Sequence, residues 1–409
     1  MKKKRVAILV DLELSKKSGG HVKFWERICE SLKNKSLDVK LDLFFLGKKK
    51  KKIKFDENIN FYILKPIFSS RLLKFIGIDA DYTDLFPFNP LLLFKLRNYD
   101  LIHSTDQLFS MSRAAKIASK IWKIPLTSSM HTDTPSYTEY YILKIFLNFH
   151  SFLKKILIEK IKLQKIISTN QKKKINKYFA SCKKIMVDVK NLEKNYLSKD
   201  LSKKFIQLER GVEKKIFTKK IVNRNNIFKK YNLPNKKKII FFCGRIHTLK
   251  GAVFLSKVHK KLEKCGIDLI TILAGENIHG NTCKEIGGPN LKIVNYLDEN
   301  EIATFMSVCD LFVFPSLYEI GPQVILEAKA CQAVCVVSPQ GGGKRIIHNF
   351  DGIIINKYSV VSWANEVLNL LDNSKKINKI KKNLSINNTQ LTWRDVFFEI
   401  FYKNWKKFI

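Results

Sequence analysis

Short apolar runs alternate with longer segments of helical period along nearly the whole chain. Val6–Val10, Val39–Leu46, Leu101–His103 and Ile166–Thr169 are such runs in the first half. Ile239–Cys243, Leu269–Ala274, Leu311–Phe314 and Val334–Ser338 follow in the second. A strand solvated on one face alternates apolar and polar residues, whereas a strand covered on both faces has no need to. The runs therefore predict parallel strands buried under helices, and two successive sets of them predict two doubly wound α/β domains. The least patterned and most charged stretch between the sets is Glu213 to Lys237, and the hinge is placed at its start. The Lys48–Lys52 run, between two strand-like segments, reads as a solvated hairpin tip. From Ile142 to Leu163 an apolar stripe (Ile142, Phe146, Phe149, Leu153, Ile156) is interleaved with lysines. It suits packing on the first sheet, or else a membrane interface. A closing segment of helical period runs from Trp393 to Trp405.

Length and composition agree with two domains. A chain of 409 residues exceeds what one ordinary core supports. Its 45% hydrophobic and 27% charged residues are usual for a globular protein. No apolar stretch reaches the ~18 to 20 residues of a membrane-spanning helix. Behind the basic start Lys2-Lys3-Lys4-Arg5 the apolar run stops at Asp11, short of the ~7 to 15 residues of a signal peptide. The expected location is cytoplasmic. The eight cysteines are scattered without CxxC pairs, which predicts reduced packing residues and neither a metal site nor a disulfide framework. The net charge of +39 is mostly lysine. Arginine, preferred for bidentate base contacts, is scarce, so nucleic acid is not the expected partner. Peripheral attraction to an anionic membrane surface is the better use of such charge.

Three turns carry the candidate chemistry. In Phe314-Pro-Ser-Leu-Tyr-Glu319-Ile-Gly321-Pro322-Gln-Val-Ile-Leu-Glu327, a buried strand ends in a loop bearing Glu319, and Gly321-Pro322 opens a helix bearing Glu327. Carboxylates there can accept hydrogen bonds from sugar or ribose hydroxyls, and the helix start can face an anion. Phe241-Phe242-Cys243-Gly244-Arg245-Ile-His-Thr-Leu-Lys250-Gly251 is a second strand-to-helix turn. Its two cations suit a diphosphate leaving group. Gly19-Gly20, after the first strand, would let backbone approach a phosphate or sugar closely. Asp79-Ala-Asp81 spells a metal-binding DxD, but in an apolar insertion without the rest of such a site, and is read as chance.

These turns, in this order, resemble the family-4 retaining glycosyltransferases. Glu319 and Glu327 match that family's E-x7-E pattern, Gly244-Arg245 through Lys250-Gly251 its GR-x4-KG turn, and Gly19-Gly20 its early Gly-Gly. Leu208-Glu-Arg210-Gly-Val-Glu213 with Phe217 resembles the "NGVD…F" junction, and Tyr99-Asp-Leu-Ile-His-Ser-Thr a "DLIH" strand. Ser129-Met-His131-Thr-Asp-Thr-Pro-Ser-Tyr resembles the histidine turn of lipid-directed and cell-envelope members. The departures are Gly321-Pro322 for "FG", Gln332 for a glycine, and Arg210 for the junction asparagine. The resemblance implies the GT-B fold: two facing Rossmann-like domains, an interdomain cleft, and a C-terminal helix crossing back to the first domain. The expected division is residues 1–212 with 388–409 on the acceptor side, and 213–387 on the nucleotide-sugar side. It also implies transfer of a hexose from a UDP- or GDP-sugar to a lipid or saccharide acceptor, with retention and with neither metal nor cofactor. Arg245 and Lys250 would then hold the diphosphate, Glu327 the ribose and Glu319 the sugar. His131 would sit beside sugar and acceptor, and the backbone of Gly19, Gly20 and Gly321 near the donor. A GT-B epimerase or phosphorylase, and a sugar-nucleotide-binding or nucleic-acid-binding protein without turnover, are the alternatives.

Overall fold

The computed structural model describes residues 3–15, 18–72, 82–147, 155–188, 199–234, 237–294, 296–317, 319, 321–387 and 390–409. The chain divides into a first unit, Met1–Arg210 with Trp393–Ile409, and a second, Gly211–Thr392.

The first unit is built on eight strands: β1 (Lys4–Glu13), β2 (Val39–Leu46), β3 (Lys51–Lys54), β4 (Ile59–Leu64), β5 (Leu101–Ser104), β6 (Leu126–Ser129), β7 (Lys184–Val187) and β8 (Phe205–Gln207). Their order is β3-β4-β2-β1-β5-β6-β7-β8. All neighbours are parallel except the edge pair β3/β4. Val6 to Val10 are fully buried, as expected of a central strand covered on both faces. The helix Gly20–Leu32 buries Val22, Phe24, Trp25, Ile28, Cys29 and Leu32, a stripe at helical spacing. Over it lies the helical segment Trp393–Trp405, π-helical from Val396 to Tyr402, burying Trp393, Phe397, Phe401 and Trp405. Phe24 meets Trp393 at 5.2 Å between ring centroids and Trp25 meets Phe401 at 4.9 Å. The tail is thus part of the first core.

One expectation fails here. Ile166–Thr169 is not a strand; it lies in the helix Leu163–Ser181. The fourth long crossover of the sheet needs that helix, and the strand it feeds is the four-residue β7. Strand β6, Leu-Thr-Ser-Ser, carries too few apolar residues to be noticed, because its buried hydroxyls bond to other side chains. Of the stripe from Ile142 to Leu163, the described residues show the end of the helix Thr134–Leu147, the π-helical Lys155–Lys160 and, after a break at Ile161 and Lys162, the start of the helix Leu163–Ser181. Phe149 and Leu153 lie outside the described residues, as does Asp79-Ala-Asp81. Of the lysine run, Lys51 and Lys52 open the edge strand β3, where exposed lysines discourage pairing with another chain.

The second unit has six parallel strands: β9 (Lys238–Cys243), β10 (Leu269–Ala274), β11 (Leu291–Val294), β12 (Leu311–Phe314), β13 (Cys335–Val337) and β14 (Gly352–Ile354). They are ordered β11-β10-β9-β12-β13-β14. Its core is continuous across the sheet, with Phe241, Phe242, Phe305 and Trp363 all but fully buried. The strand order reverses beside β9. In open α/β sheets ligands bind outside the carboxyl ends of strands at such a point. The turns after β9 and β12 flank it. No described helix is long and apolar enough to cross a membrane.

Candidate functional site

The turn after β9 is fixed from three sides. Its 3-10 segment Thr248–Lys250 is capped by His247, whose Nδ1 accepts from the Leu249 N–H at 3.1 Å. His247 stacks on His279 at 4.5 Å, and His279 Nδ1 accepts from the Thr248 N–H at 3.1 Å. Gly251 follows with φ +81°, a left-handed conformation that glycine adopts without penalty. A Cβ there would collide with the Pro315 carbonyl. Without it, the exit loop of β12 lies directly against the exit turn of β9.

That contact brings Lys250 and Glu319 together. The Lys250 ammonium donates to Glu319 Oε1 at 2.6 Å, and the two side chains are 17% and 13% exposed. Ser316 also reaches Glu319 Oε1, at 3.1 Å, and donates to the Leu249 carbonyl at 3.2 Å. Tyr358 Oη donates to the Pro315 carbonyl at 2.9 Å. The loop is therefore tied to the β9 turn at several points. Gly321 and Pro322, both buried, lead into the helix Gln323–Ala330, with Pro322 at the N-cap. Glu327 faces inward from that helix, only 6% exposed, so it is not the solvated helix residue that its sequence context permits. Arg245 is half-buried in the same turn as Lys250.

The sequence reading passed over the glycines after β13. Gly341 N–H donates to Ser338 Oγ at 2.8 Å, and Ser338 Oγ bonds in turn to the Ser316 carbonyl. A Cβ on Gly341 would run into the backbone of Phe314 and Ser316. Gly341-Gly342-Gly343 thus lies beneath the loop that carries Glu319. Three consecutive glycines after a strand were the available signal, the same one read at Gly19-Gly20. The buttressing by His279 had no such signal, because it joins turns of neighbouring strands.

The remaining predicted residues belong to the first unit. Gly19 caps and Gly20 begins the helix Gly20–Leu32, with an ordinary φ of −71° at Gly19. A Cβ at either glycine would meet nothing within 4 Å, so neither conformation nor internal packing requires glycine there. His21, next in line, stacks on His131 with ring centroids 4.4 Å apart and 14° between planes. Phe24 meets the His131 ring edge-on at 4.7 Å. Arg210, the departure from the junction asparagine, is buried with its guanidinium 5.4 Å from the Phe24 ring. Burial, reinforced by the Arg210 charge, pushes the His21 pKa down to about 3. Burial and then the charges of His21, Arg210 and His103 hold His131 well below the usual histidine range. Both imidazoles are neutral at physiological pH.

Residues 223–385 match the family described as glycosyl transferases group 1. The chain is 24% identical over 217 residues to the UDP-Gal:α-D-GlcNAc-diphosphoundecaprenol α-1,3-galactosyltransferase of Escherichia coli, covering 50% of this chain and 56% of that one. It is 31% identical over 121 residues to the N,N'-diacetylbacillosaminyl-diphospho-undecaprenol α-1,3-N-acetylgalactosaminyltransferase of Campylobacter jejuni, covering 29% and 31%. The matched stretches thus span little more than half and less than a third of these curated relatives. Among solved structures, HepE of Anabaena in complex with UDP and glucose superposes with a TM-score of 0.68 at 14% identity, over 98% of this chain and 100% of that one. The chain therefore has the GT-B fold, and residues 223–385, all within its second unit, match the glycosyl transferases group 1 family.

Proposed function

We propose that the protein is a retaining, metal-independent hexosyltransferase of the family-4 type. It moves a sugar from a UDP- or GDP-sugar to a lipid-diphosphate-linked or saccharide acceptor of the cell envelope. The Lys250–Glu319 pair carries the reading, because it joins a phosphate-seeking cation and a hydroxyl-seeking carboxylate at the sheet's switch point. Arg245 and Lys250 neutralise the departing diphosphate, aided by the helix start after Pro322. Glu327 receives the ribose hydroxyls and Glu319 the sugar, while Gly19, Gly20 and His131 of the first unit complete the substrate contacts. The leaving phosphate takes the acceptor proton, so no separate carboxylate base is needed. The lipid acceptor is favoured because the Escherichia coli and Campylobacter jejuni relatives are both named for diphosphoundecaprenol-linked substrates. The +39 charge would hold the enzyme at the anionic inner face of a membrane.

The test is transfer to a diphosphoundecaprenol-linked saccharide from a panel of UDP- and GDP-sugars, preceded by a thermal-shift screen of the free nucleotides. A ligand at a hundred times its Kd stabilises the native state by ~2.7 kcal/mol. The expected result is a shift with UDP or GDP, and acceptor-dependent turnover with retained anomeric configuration that persists in chelator. Turnover without acceptor that inverts a sugar carbon would establish an epimerase instead. Activity lost on chelation and restored by magnesium or manganese would overturn the metal-independent reading, since the ion would then bridge the phosphates.

A further inference from the structure

The edge of the first unit carries an apolar patch that the proposed chemistry leaves unused. Ile67, Phe68, Phe86, Leu91 and Phe94 are between 39% and 69% exposed, and all lie in the connection from β4 to β5. Single exposed apolar residues are ordinary on a protein surface, whereas a cluster of large ones marks a contact. The Asp84 side chain, itself 1% exposed, ties the cluster together. Its oxygens accept from the backbone N–H groups of Ile67, Phe68 and Phe86 at 3.0, 3.0 and 3.1 Å. The Leu85 N–H donates to the Phe68 carbonyl at 2.8 Å. These loops are therefore bound inward by their backbones while the side chains of Ile67, Phe68 and Phe86 stay outside. The helix Pro90–Leu96 buries Leu92 and Leu96 and leaves Leu91 and Phe94, one turn apart, on its open face.

The lysine run borders this patch from two sides. Gly47, just before the run, donates its N–H to the Leu64 carbonyl at 2.9 Å. Lys51 and Lys52 pair with Ile63 and Tyr62 across β3 and β4. Leu64 is thus beside the run, and Ile67 lies at most ~11 Å further along the chain. Lys52 Nζ sits 5.6 Å from the Tyr62 ring centroid, and Lys95 Nζ, on the helix of Leu91 and Phe94, sits 3.7 Å from the same centroid. Lys48 to Lys52 are all exposed, as are Lys65 and Arg97 at the ends of the patch. Among the described residues from Lys65 to Arg97 the one acid is the buried Asp84. Exposed apolar side chains bordered by cations, with no exposed acid among them, match a surface that is anionic at its face and apolar behind it. A bilayer has that layering, with phosphate headgroups outside and acyl chains within. A folded partner would instead hold its acids in a fixed pattern, for which lysine's flexible point charge is a poorer match than arginine's planar fork.

We propose that this face is a membrane-docking surface, on which Ile67, Phe68, Phe86, Leu91 and Phe94 enter the headgroup boundary of an anionic bilayer while Lys48–Lys52 meet its lipid phosphates. The surface stands on the first unit's geometry alone. That the docked bilayer supplies the acceptor rests on the transferase reading above.

The test is co-sedimentation of the full-length chain with vesicles of phosphatidylcholine and phosphatidylglycerol in equal parts, against phosphatidylcholine alone, without donor or acceptor. Expected is binding to the mixed vesicles that weakens as salt is raised. Leu91→Ser with Phe94→Ser should weaken it by roughly tenfold or more, through lost apolar burial. Lys48→Gln with Lys49→Gln and Lys50→Gln should also weaken it by roughly tenfold or more. The same change at Lys375, Lys379 and Lys382, on the helix Ser374–Ile386 of the second unit, should weaken it by less than about threefold. Every altered side chain is exposed, so the variants should keep the fold. Wild type that ignores the mixed vesicles would overturn the proposal, and so would equal losses from the two lysine triplets, because the attraction would then be diffuse. A wild-type dimer in light scattering that Leu91→Ser with Phe94→Ser dissociates would overturn it too, since a second copy would then cover the patch. Vesicle binding by a protein without a nucleotide shift would leave the surface standing and remove the transferase reading. A nucleotide shift without vesicle binding would do the reverse.

Discussion

Lys250 and Glu319 are 69 residues apart in sequence and 2.6 Å apart in space, and each reached that place by a different local rule. Lys250 ends a 3-10 segment that the left-handed Gly251 terminates, and Glu319 sits in the loop that Gly251 allows to approach. Arg245→Ala and Lys250→Ala should each retain the fold and lose a factor of about a hundred to a thousand in transfer, or ~3 to 4 kcal/mol of transition-state stabilisation. Steady-state kinetics on the two variants checks this, and near-normal turnover in both would remove the turn from leaving-group duty. The two carboxylates should separate by binding. Glu327→Ala should weaken the free nucleotide diphosphate in calorimetry, whereas Glu319→Ala should spare that binding and depress transfer. Equal losses of nucleotide affinity in both variants would refute the division of roles.

At the scale of elements, two glycines of similar sequence appearance have opposite structural meanings. Gly251 sits at φ +81° against the Pro315 carbonyl, so Gly251→Ala incurs about 1 to 2 kcal/mol of left-handed strain besides the collision. Its denaturation midpoint should drop, and activity should drop with it as the Glu319 loop is pushed away. Gly20 begins a helix with open space around its missing Cβ. Gly20→Ala should leave stability unchanged or slightly raised, since alanine is the better helix former by up to ~1 kcal/mol. Yet it should weaken the substrate contact proposed for Gly20. A Gly20→Ala protein with full activity would reduce these glycines to a sequence coincidence. The strands show the same contrast between pattern and context. The runs at Val39–Leu46, Leu269–Ala274 and Leu311–Phe314 are strands to the residue; the last two are buried along their whole length, as central parallel strands are, whereas Lys40 and Asp42 interrupt the first. Strand β6 escaped because it exchanges apolar burial for buried hydroxyls that bond to His103.

For the molecule as a whole, the buried histidines predict the course of stability with pH. His21 and His103 titrate at about 3 when folded, against 6.5 ordinarily, because burial disfavours their charged forms. Below pH 6.5 the unfolded chain takes up protons that the folded chain refuses. Their contribution is therefore complete above 6.5 and is lost as pH falls toward 3, at up to ~1.4 kcal/mol per pH unit for each histidine. The buried Asp11 carboxyl, held high by desolvation and by Asp106, acts in the opposite sense. The histidine contribution is accordingly read as a difference, by denaturant titration of wild type and His21→Asn from pH 7 to pH 4. A difference that does not grow more favourable to the variant on acidification would contradict the neutral state of the half-buried His21.

The sequence by itself determined the class of fold, two parallel α/β sheets, because burial on both faces leaves an apolar run that no neighbour is needed to interpret. It also located the exit turns of β9 and β12, since glycine and proline punctuation is local. It placed a helical period at Trp393–Trp405, although not the π-helical turn inside it. What the tertiary structure alone decided is which side chains meet. His279 beneath the Arg245–Lys250 turn, Gly341 beneath the Glu319 loop, Arg210 over Phe24, and the bond from Trp405 to Thr127 all join distant segments. Parallel sheets make this unavoidable. Strands adjacent in the sheet are separated in the chain by whole crossover helices, so their exit turns become neighbours only once the sheet has formed.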